Sequence, residues 1–197
     1  MLLDIVILPP AAVRKSVAMA AKKYATGFKP VFVVDNKKLI PHVSLFHLKM
    51  NKNKLPKLEK MVKKIISGYT PFLIKSSKVS AYNRAIWFYL KKDDRLRVLH
   101  RQIFIQCSLL RDGQISEIKK TMPILFKKYI VKYGSYYVEK NFLPHFSLVQ
   151  FHNNNEAMLA MDKGIKSKKI KFVSDAIAIC EIDKNGQVTK VLKQFKM

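Results

Sequence analysis

The chain has 197 residues and a mass of 22.8 kDa, which is enough to bury a hydrophobic core as one large domain or two small lobes. Apolar residues make up 49% of the sequence, which excludes a disordered chain, and no uncharged apolar run of about eighteen residues exists to cross a membrane. Lysine and arginine number 38 against 13 aspartates and glutamates, a net charge of +25. This surplus predicts binding to polyanions such as RNA, although a lysine excess can also reflect genome composition.

The cysteines and the first residues of the chain indicate the cellular compartment of the protein. Cys107 and Cys180 are too few for a disulfide framework or a closed zinc site, so both are predicted to be small buried hydrophobic residues. Residues 1–12 are apolar but lack a basic start, and Asp4 and the prolines at 9–10 interrupt them, which argues against a signal peptide. A reducing cytoplasmic location is therefore expected.

Strand-like and helix-like hydrophobic patterns alternate along the chain. In chain order, the predicted elements are a strand at 2–8, a helix at 11–24, a hairpin of strands at 31–34 and 39–48, a helix at 54–67, strands at 71–79 and 85–90, helices at 93–110 and 116–133, a strand at 142–151, a helix at 156–164, and strands at 170–182 and 187–195. Asn185 followed by Gly186 predicts a tight turn between the last two strands. The predicted class is α+β, with several antiparallel strand pairs.

A five-residue motif occurs twice. Residues 41–45 read Pro-His-Val-Ser-Leu, and residues 144–148 read Pro-His-Phe-Ser-Leu, about a hundred residues later, so each half of the chain carries one copy. Each copy lies in an apolar strand and is followed by a polar turn, a helix and two further strands. The repeat predicts a single bilobal domain spanning 1–197, whose two pseudo-symmetric halves place both motifs at a shared cleft.

Each motif offers one imidazole and one hydroxyl on the same face of a strand. Residues two apart in a strand point the same way, so His42 shares a face with Ser44, and His145 with Ser147. Two histidines can act as general base and general acid, and the hydroxyls can donate hydrogen bonds to phosphoryl oxygens. In-line cleavage of a phosphodiester needs an acid and a base on opposite sides of phosphorus. Such a site needs no metal ion.

Other interpretations give the histidines a structural or metal-binding role. A single strand histidine is more often structural than catalytic, but two equivalent copies favour catalysis. A zinc site would need a third ligand, and no cysteine or carboxylate adjoins either motif, so no metal is predicted. His47 is expected on the opposite face of an ideal strand from His42, and His100 and His152 are expected to be structural or surface residues.

The two motifs resemble those of the 2H phosphoesterase superfamily, and the most similar branch is the 2′-5′ RNA ligase-like or RNA 2′,3′-cyclic phosphodiesterase group. The resemblance covers nearly the whole chain, including the opening strand and proline at 5–10 and the Arg-Ala-Ile-Trp segment at 84–87. It implies a bilobal duplicated fold of two mainly antiparallel sheets, with flanking helices around a central groove. It also implies His42 and His145 as the acid–base pair, no cofactor, and serine hydroxyls that hold the phosphate.

The sequence departs from the family pattern in three respects, one of which is a somewhat long gap between the two motifs. Serine stands at both hydroxyl positions, where many such enzymes have threonine. Gln150 stands where the bacterial branch often has a basic residue, and the missing charge would weaken phosphate binding unless Arg84 or one of the lysines substitutes for it. Among aromatic residues that could stack a base, Tyr136 and Tyr137 are expected nearest the groove, while Trp87 is expected in the core.

The resulting functional expectation is a metal-independent phosphodiesterase that hydrolyses 2′,3′-cyclic phosphates on RNA ends or nucleotides. One alternative keeps the site but acts on 2′-5′-oligonucleotides or cyclic dinucleotides. Another is a non-catalytic RNA-binding module with strongly salt-dependent binding. The expected partners are RNA ends or nucleotides that carry phosphodiesters, with no membrane, and the chain is expected to be a monomer.

Overall fold

The computed structural model describes residues 1–114, 120, 122–163 and 169–197. Within these residues the chain forms nine β-strands and five α-helices. In chain order they are β1 (Leu2–Ile7), α1 (Ala11–Ala25), β2 (Phe32–Val33), β3 (Val43–Lys49), α2 (Leu55–Ile66), β4 (Phe72–Tyr82), β5 (Ala85–Leu90), α3 (Asp94–Cys107), α4 (Ile124–Tyr133), β6 (His145–Gln150), α5 (Asn154–Asp162), β7 (Lys171–Ser174), β8 (Ala176–Ile182) and β9 (Val188–Lys196).

The strands form two sheets in which the motif strands hold equivalent places. The first sheet has the order β3-β1-β8-β9 and the second the order β2-β6-β5-β4-β7, and every pair is antiparallel. The motif strand β3 lies beside β1, the strand before α1, and the motif strand β6 lies beside β5, the strand before α3. Helix α1 packs on β6, and α3 packs on β3. The predicted α+β class, with two mainly antiparallel sheets and flanking helices, is confirmed.

The predicted hairpin over 31–48 is wrong. Strand β2 has only two residues and pairs with β6 in the second sheet, whereas β3 pairs with β1 in the first. Between them the Asp35 carboxylate accepts hydrogen bonds from the backbone N–H groups of residues 37, 38 and 39. Asn36 adopts a positive φ of 60° within this turn. A side chain that takes over three backbone donors makes a wide turn, and this turn carries the chain to the other sheet.

The predicted strand over 170–182 is also wrong as a single element. It is two strands, β7 on β4 of the second sheet and β8 between β1 and β9 of the first, with Asp175 between them. β8 is buried on both faces, so its apolar residues show no alternation that would distinguish it from a continuation of β7.

Two predicted helices differ at their ends. Of the helix predicted over 116–133, residues 116–119 and 121 lie outside the described residues, and the described helix begins at Ile124 after Pro123. The helix predicted over 156–164 starts two residues earlier, at Asn154, because the Asn153 side chain caps it by accepting from the Glu156 N–H. Gly164 lies outside the described residues.

The core fills the space between the sheets and their helices. From α1 it takes Val17, Ala21 and Tyr24, and it extends through β1, β3, β6 and the apolar face of α3. Cys107 and Cys180 are both buried and unpaired, as predicted, and burial raises the pKa of Cys107 to about 12. Among the described residues, no helix has the length and apolar character needed to span a membrane.

Candidate active site

The four motif residues line one cleft. His42 directly precedes β3 and Ser44 lies in that strand, whereas His145 and Ser147 both lie in β6. The cleft has a volume of about 170 Å³. The structure therefore brings together the residues that the repeat predicted at a shared cleft.

Both motif imidazoles are held in the same way. Nδ1 of His42 lies 2.7 Å from the Ile40 carbonyl oxygen, and Nδ1 of His145 lies 2.7 Å from the Leu143 carbonyl oxygen. Because a carbonyl oxygen can only accept, Nδ1 must carry the hydrogen in each ring. Nε2 is then the nitrogen that each neutral imidazole has available as a base.

Each motif strand contains a β-bulge at the leucine of the motif. The pairing of β1 with β3 runs from Ile5 opposite Phe46 to Val6 opposite Ser44, which leaves Leu45 as the extra residue. In the same way, the pairing of β5 with β6 passes from Val149 to Ser147, which leaves Leu148 as the extra residue in β6. A bulge of one residue reverses the alternation of side chains beyond it. Residues five positions after each motif histidine therefore return to the face of that histidine.

His47 is one of these residues, and the prediction that it lies on the face opposite His42 is wrong. It lines the cleft, with 27% of its side chain exposed. Its Nε2 lies 2.9 Å from Oδ2 of Asp4 and 3.2 Å from Oγ of Ser44. The prediction assumed an ideal strand, and the bulge at Leu45 is what brings His47 into the site.

Asp4 is the functional residue that the sequence analysis missed. It is fully buried in β1, and its Oδ2 accepts a 2.6 Å hydrogen bond from the Ser44 hydroxyl. The same oxygen lies 3.6 Å from Nε2 of His42, so Asp4 lies beneath three cleft residues at once. The sequence did contain a signal for Asp4: it is a single carboxylate in an apolar strand. A carboxylate buried in such a strand needs hydrogen-bond or ion-pair partners.

The two hydroxyls are in different states. Ser44 donates its hydrogen to Asp4, so that hydrogen is not available to a ligand in this arrangement. Ser147 makes no hydrogen bond with the part of the chain that the structure describes, and it lines both the central cleft and a neighbouring one. The second motif therefore offers the hydroxyl that can donate to a bound phosphoryl group.

The imidazoles also differ in their electrostatic surroundings. Burial lowers the pKa of His145 to about 4, and its ring stacks on Trp87 with centroids 3.8 Å apart. Burial also lowers the pKa of His42, but the Asp4 charge opposes that effect. For His47, burial is outweighed by the charge and hydrogen bond of Asp4, and the pKa is raised. The first motif is thus the more favourable place for a protonated imidazole.

A second cleft of about 450 Å³ adjoins the first and shares Trp87, Tyr137 and Ser147 with it. Arg84 and Gln150 line this second cleft, as does Tyr82, which stacks on Trp87 with centroids 4.6 Å apart. Trp87, expected in the core, instead lies half-buried in the cleft wall, where the pairing of β5 with the bulged strand β6 sets it opposite Ser147.

Tyr136 and the remaining histidines lie elsewhere. Tyr136 lines neither cleft and stacks on Phe126, with centroids 3.5 Å apart. His100 is buried and structural, as predicted: its Nδ1 bonds to the Leu45 carbonyl, its Nε2 accepts from the Glu139 N–H, and the pKa is lowered to about 4 by burial. His152 is exposed at the end of β6. In the described ranges no group of three histidine, cysteine or carboxylate side chains is arranged to hold a metal ion.

Two sheets that each deliver a His-x-Ser strand to one cleft are the arrangement of a 2H phosphoesterase. The family model described as the 2′-5′ RNA ligase superfamily matches residues 32–186, which include both motifs, so the chain belongs to that superfamily. Membership supports a phosphodiesterase type of function. Among curated proteins, none matches the sequence.

Solved structures share the fold across the whole chain. TT0787 of Thermus thermophilus is 17% identical with a TM-score of 0.63, covering 100% of this chain and 97% of that one. E. coli LigT complexed with 3′-AMP is 13% identical with a TM-score of 0.62, covering 99% and 97%. E. coli LigT complexed with NADP⁺ is 12% identical with a TM-score of 0.60, covering 99% and 96%. At these identities the likeness establishes the fold alone.

Proposed function

We propose that this protein is a metal-independent phosphodiesterase that hydrolyses 2′,3′-cyclic phosphates on RNA ends or nucleotides. The observation that carries the proposal is the matched pair of imidazoles, each with Nδ1 bound to the carbonyl two residues before it, on the wall of one cleft. This matched anchoring supplies a base and an acid from opposite sheets, which is what in-line displacement at phosphorus requires.

In the proposed reaction His145 is the base and His42 is the acid. Burial lowers the pKa of both rings, but Nε2 of His42 lies 3.6 Å from the Asp4 carboxylate, which favours protonation of His42 over His145, whose ring has no carboxylate in hydrogen-bond contact among the described residues. Nε2 of His145 removes a proton from water as the water oxygen bonds to phosphorus. The bond from phosphorus to one ribose oxygen breaks, and that oxygen takes the proton from His42. Exchange with solvent then restores both rings.

The surroundings suit a nucleotide substrate. The Ser147 hydroxyl is placed to donate to a non-bridging phosphoryl oxygen, and Trp87 and Tyr82 offer aromatic faces to a base in the adjoining cleft. Arg84 lines the same cleft and can contact a second phosphate or a base. The complexes of LigT with 3′-AMP and NADP⁺ support nucleotides as the substrate class. We place the reaction in the cytoplasm, with the protein as a monomer.

The size of the second cleft favours one other candidate. At about 450 Å³ it has room for a nucleotide beyond the reacting phosphate, so 2′-5′-oligonucleotides or cyclic dinucleotides are the alternative substrates. A non-catalytic RNA-binding module remains the alternative from a different class.

The test is substrate profiling of the wild-type protein and of H42A and H145A. The substrates are 2′,3′-cyclic mononucleotides, RNA with a cyclic end, 2′-5′-oligoadenylate and a cyclic dinucleotide, each assayed with and without EDTA. We expect turnover with the cyclic phosphates, unaffected by EDTA, and a loss of about a thousandfold or more in each variant. H152A is the matched control, since His152 is exposed and outside both clefts. Turnover that survives in either motif variant contradicts the paired mechanism, and salt-dependent RNA binding without turnover indicates the binding module.

A further inference from the structure

The central cleft has no lysine or arginine among the described residues that line it, although the chain carries a net charge of +25. A phosphodiester brings a negative charge into this cleft, and an anion in a partly buried site needs a compensating donor or cation. The lining groups that can become positive are three imidazoles, those of His42, His47 and His145. In the mechanism proposed above, one of these must be neutral to act as the base, and the acid gives up its proton.

His47 is the imidazole that the mechanism does not use. Its Nε2 faces Oδ2 of Asp4 at 2.9 Å, and because a carboxylate only accepts, Nε2 carries a hydrogen. Its Nδ1 makes no hydrogen bond with the described residues, and the ring is part of the cleft wall. A protonated His47 therefore has one N–H bound to Asp4 and a second N–H that is available to a ligand.

The ring is held in this position by Asp4 and lies close to the turn between β8 and β9. Asp4 is fully buried, and its strand β1 lies between β3 and β8 in the first sheet, so the position of its carboxylate is fixed. The turn between β8 and β9 also lies close to the ring: a Cβ built on Gly186 would lie 3.4 Å from Cε1 and 3.9 Å from Nε2 of His47. A donor fixed in this way loses little conformational entropy when an anion binds.

We propose that His47, oriented by Asp4, is a third histidine of the site and binds a non-bridging phosphoryl oxygen through Nδ1–H. The inference rests on the proposed phosphodiesterase function, whose substrate it would hold. Gln150, five residues after His145 on the second motif strand, carries no charge. His47, five residues after His42, then provides a positive charge at the equivalent position of the first motif strand. It binds substrate without transferring a proton in the reaction.

The surrounding groups set the pH range of this contact. Asp4 of β1 faces Nε2 of His47, and Cys180 of β8 is the strand partner of Asp4. The Asp183 carboxylate, in the β8–β9 turn, interacts electrostatically with His42. His42 directly precedes the strand that carries His47, and His145 lines the same cleft from the second sheet. Burial favours a lower pKa for His47, but Asp4 outweighs burial and raises the pKa above its ordinary value, so the donor persists to higher pH than in an ordinary imidazole and is lost as the pH rises through the raised value.

The first experiment uses histidine ring ¹⁵N NMR of the wild-type protein during titration with inorganic sulfate, which keeps its charge over the pH range used. We expect saturable changes at the Nδ1 resonance of His47, with affinity falling as the pH rises through the pKa of that ring. Sulfate that perturbs His42 and His145 but leaves His47 unchanged overturns the proposal, as does an absence of any saturable binding.

The second experiment compares H47Q and D4N with the control H152Q. H47Q is expected to raise KM and the sulfate Kd by about tenfold or more while kcat changes by less than about threefold, because one charge-assisted hydrogen bond is lost in both the ground and transition states. D4N should lower the pKa of His47 and shift the pH dependence of sulfate binding to lower pH. An unchanged KM and sulfate Kd in folded H47Q contradicts the proposal. Sulfate binding that depends on His47 in a protein without turnover contradicts the phosphodiesterase proposal alone.

Discussion

The indole ring of Trp87 lies almost parallel to the imidazole of His145, with centroids 3.8 Å apart and planes inclined by 17°. The same indole stacks on Tyr82 on the way to the second cleft. One aromatic side chain therefore both excludes water from a motif histidine and forms part of the surface expected to receive a base. Replacing Trp87 should therefore change both the pKa of His145 and the binding of a base, and the two effects can be measured independently.

We expect W87L to raise the pKa of His145 from about 4 toward the ordinary value of 6.5, because burial is the main cause of the low value and a smaller side chain admits water. Histidine ¹³C or ¹⁵N NMR across a pH titration measures this change. Y136L is the control, since Tyr136 stacks on Phe126 away from both clefts. A pKa for His145 that remains near 4 in W87L would show that the rest of the pocket causes the shift.

The serines of the two motifs should respond differently to the same substitution. S44A removes the 2.6 Å hydrogen bond to buried Asp4, and we expect it to lower the free energy of unfolding by about 1–3 kcal/mol. S147A breaks no hydrogen bond among the described residues, so its stability should stay within about 0.5 kcal/mol of wild type while turnover falls. Urea unfolding and steady-state kinetics on both variants test this contrast. Equal losses of stability would contradict it.

His100 connects the bulge of the first motif to the segment that leads into the second. Its Nδ1–H donates to the Leu45 carbonyl, and its Nε2 accepts from the Glu139 N–H, so protonation of Nε2 breaks the second bond. Its pKa is lowered to about 4, so the unfolded state binds more protons than the folded state between that value and 6.5. Stability should therefore fall as the pH is lowered through this window, with His100 contributing roughly 3 kcal/mol.

H100F provides the comparison. Phenylalanine keeps the stacking on Phe142 but cannot make either hydrogen bond, so we expect a stability loss of about 2–4 kcal/mol at neutral pH. The variant should also lose part of the acid sensitivity between pH 6.5 and about 4, because the group that titrates is gone. Chemical unfolding at a series of pH values measures both effects, and an unchanged pH slope would assign the acid sensitivity to other groups.

Gly186 in the β8–β9 turn has a φ of +74°, and a Cβ at this position would lie 3.4 Å from Cε1 of His47. An alanine there would be strained by about 1 kcal/mol because of the positive φ, and its Cβ would come into close contact with the edge of the ring that Asp4 and Ser44 also contact. We expect G186A to lower Tm by several degrees, roughly 2–6 °C, and to weaken sulfate binding at the cleft. G68A is the matched control, because Gly68 has an ordinary φ and only a loose contact with the Ile65 carbonyl. A similar Tm for both variants would contradict the expected strain.

The sequence predicted the site where the argument depended only on neighbouring residues in a strand. His42 with Ser44, and His145 with Ser147, share a face because they lie two apart and precede the bulges. His47 was placed wrongly because the extra residue at Leu45 depends on the register with β1, which the sequence of β3 alone does not determine. Asp4 was overlooked for a related reason, since its partners lie about forty residues further along the chain.

The errors in the fold have a similar origin. Short apolar runs predicted strands correctly, but they did not predict which sheet a strand joins. Strand β2 pairs with β6 rather than with its sequence neighbour, and the apolar run after residue 170 is divided between the sheets at Asp175. Local patterns report burial and alternation, whereas strand partners are chosen by long-range packing.

The pairing of β1 with β8 joins strands from nearly opposite ends of the sequence, with Leu3 opposite Glu181. The residues at 185–187 that close one side of the cleft follow β8 directly. During synthesis, a nascent chain that has released both motif histidines from the ribosome still lacks the strand that completes the first sheet. The cleft can therefore assemble only after the last strands emerge, and such distant pairing is expected to make this slow on the folding timescale. The lysine-rich nascent chain would thus lack an assembled cleft until β8 and the turn after it have emerged from the ribosome.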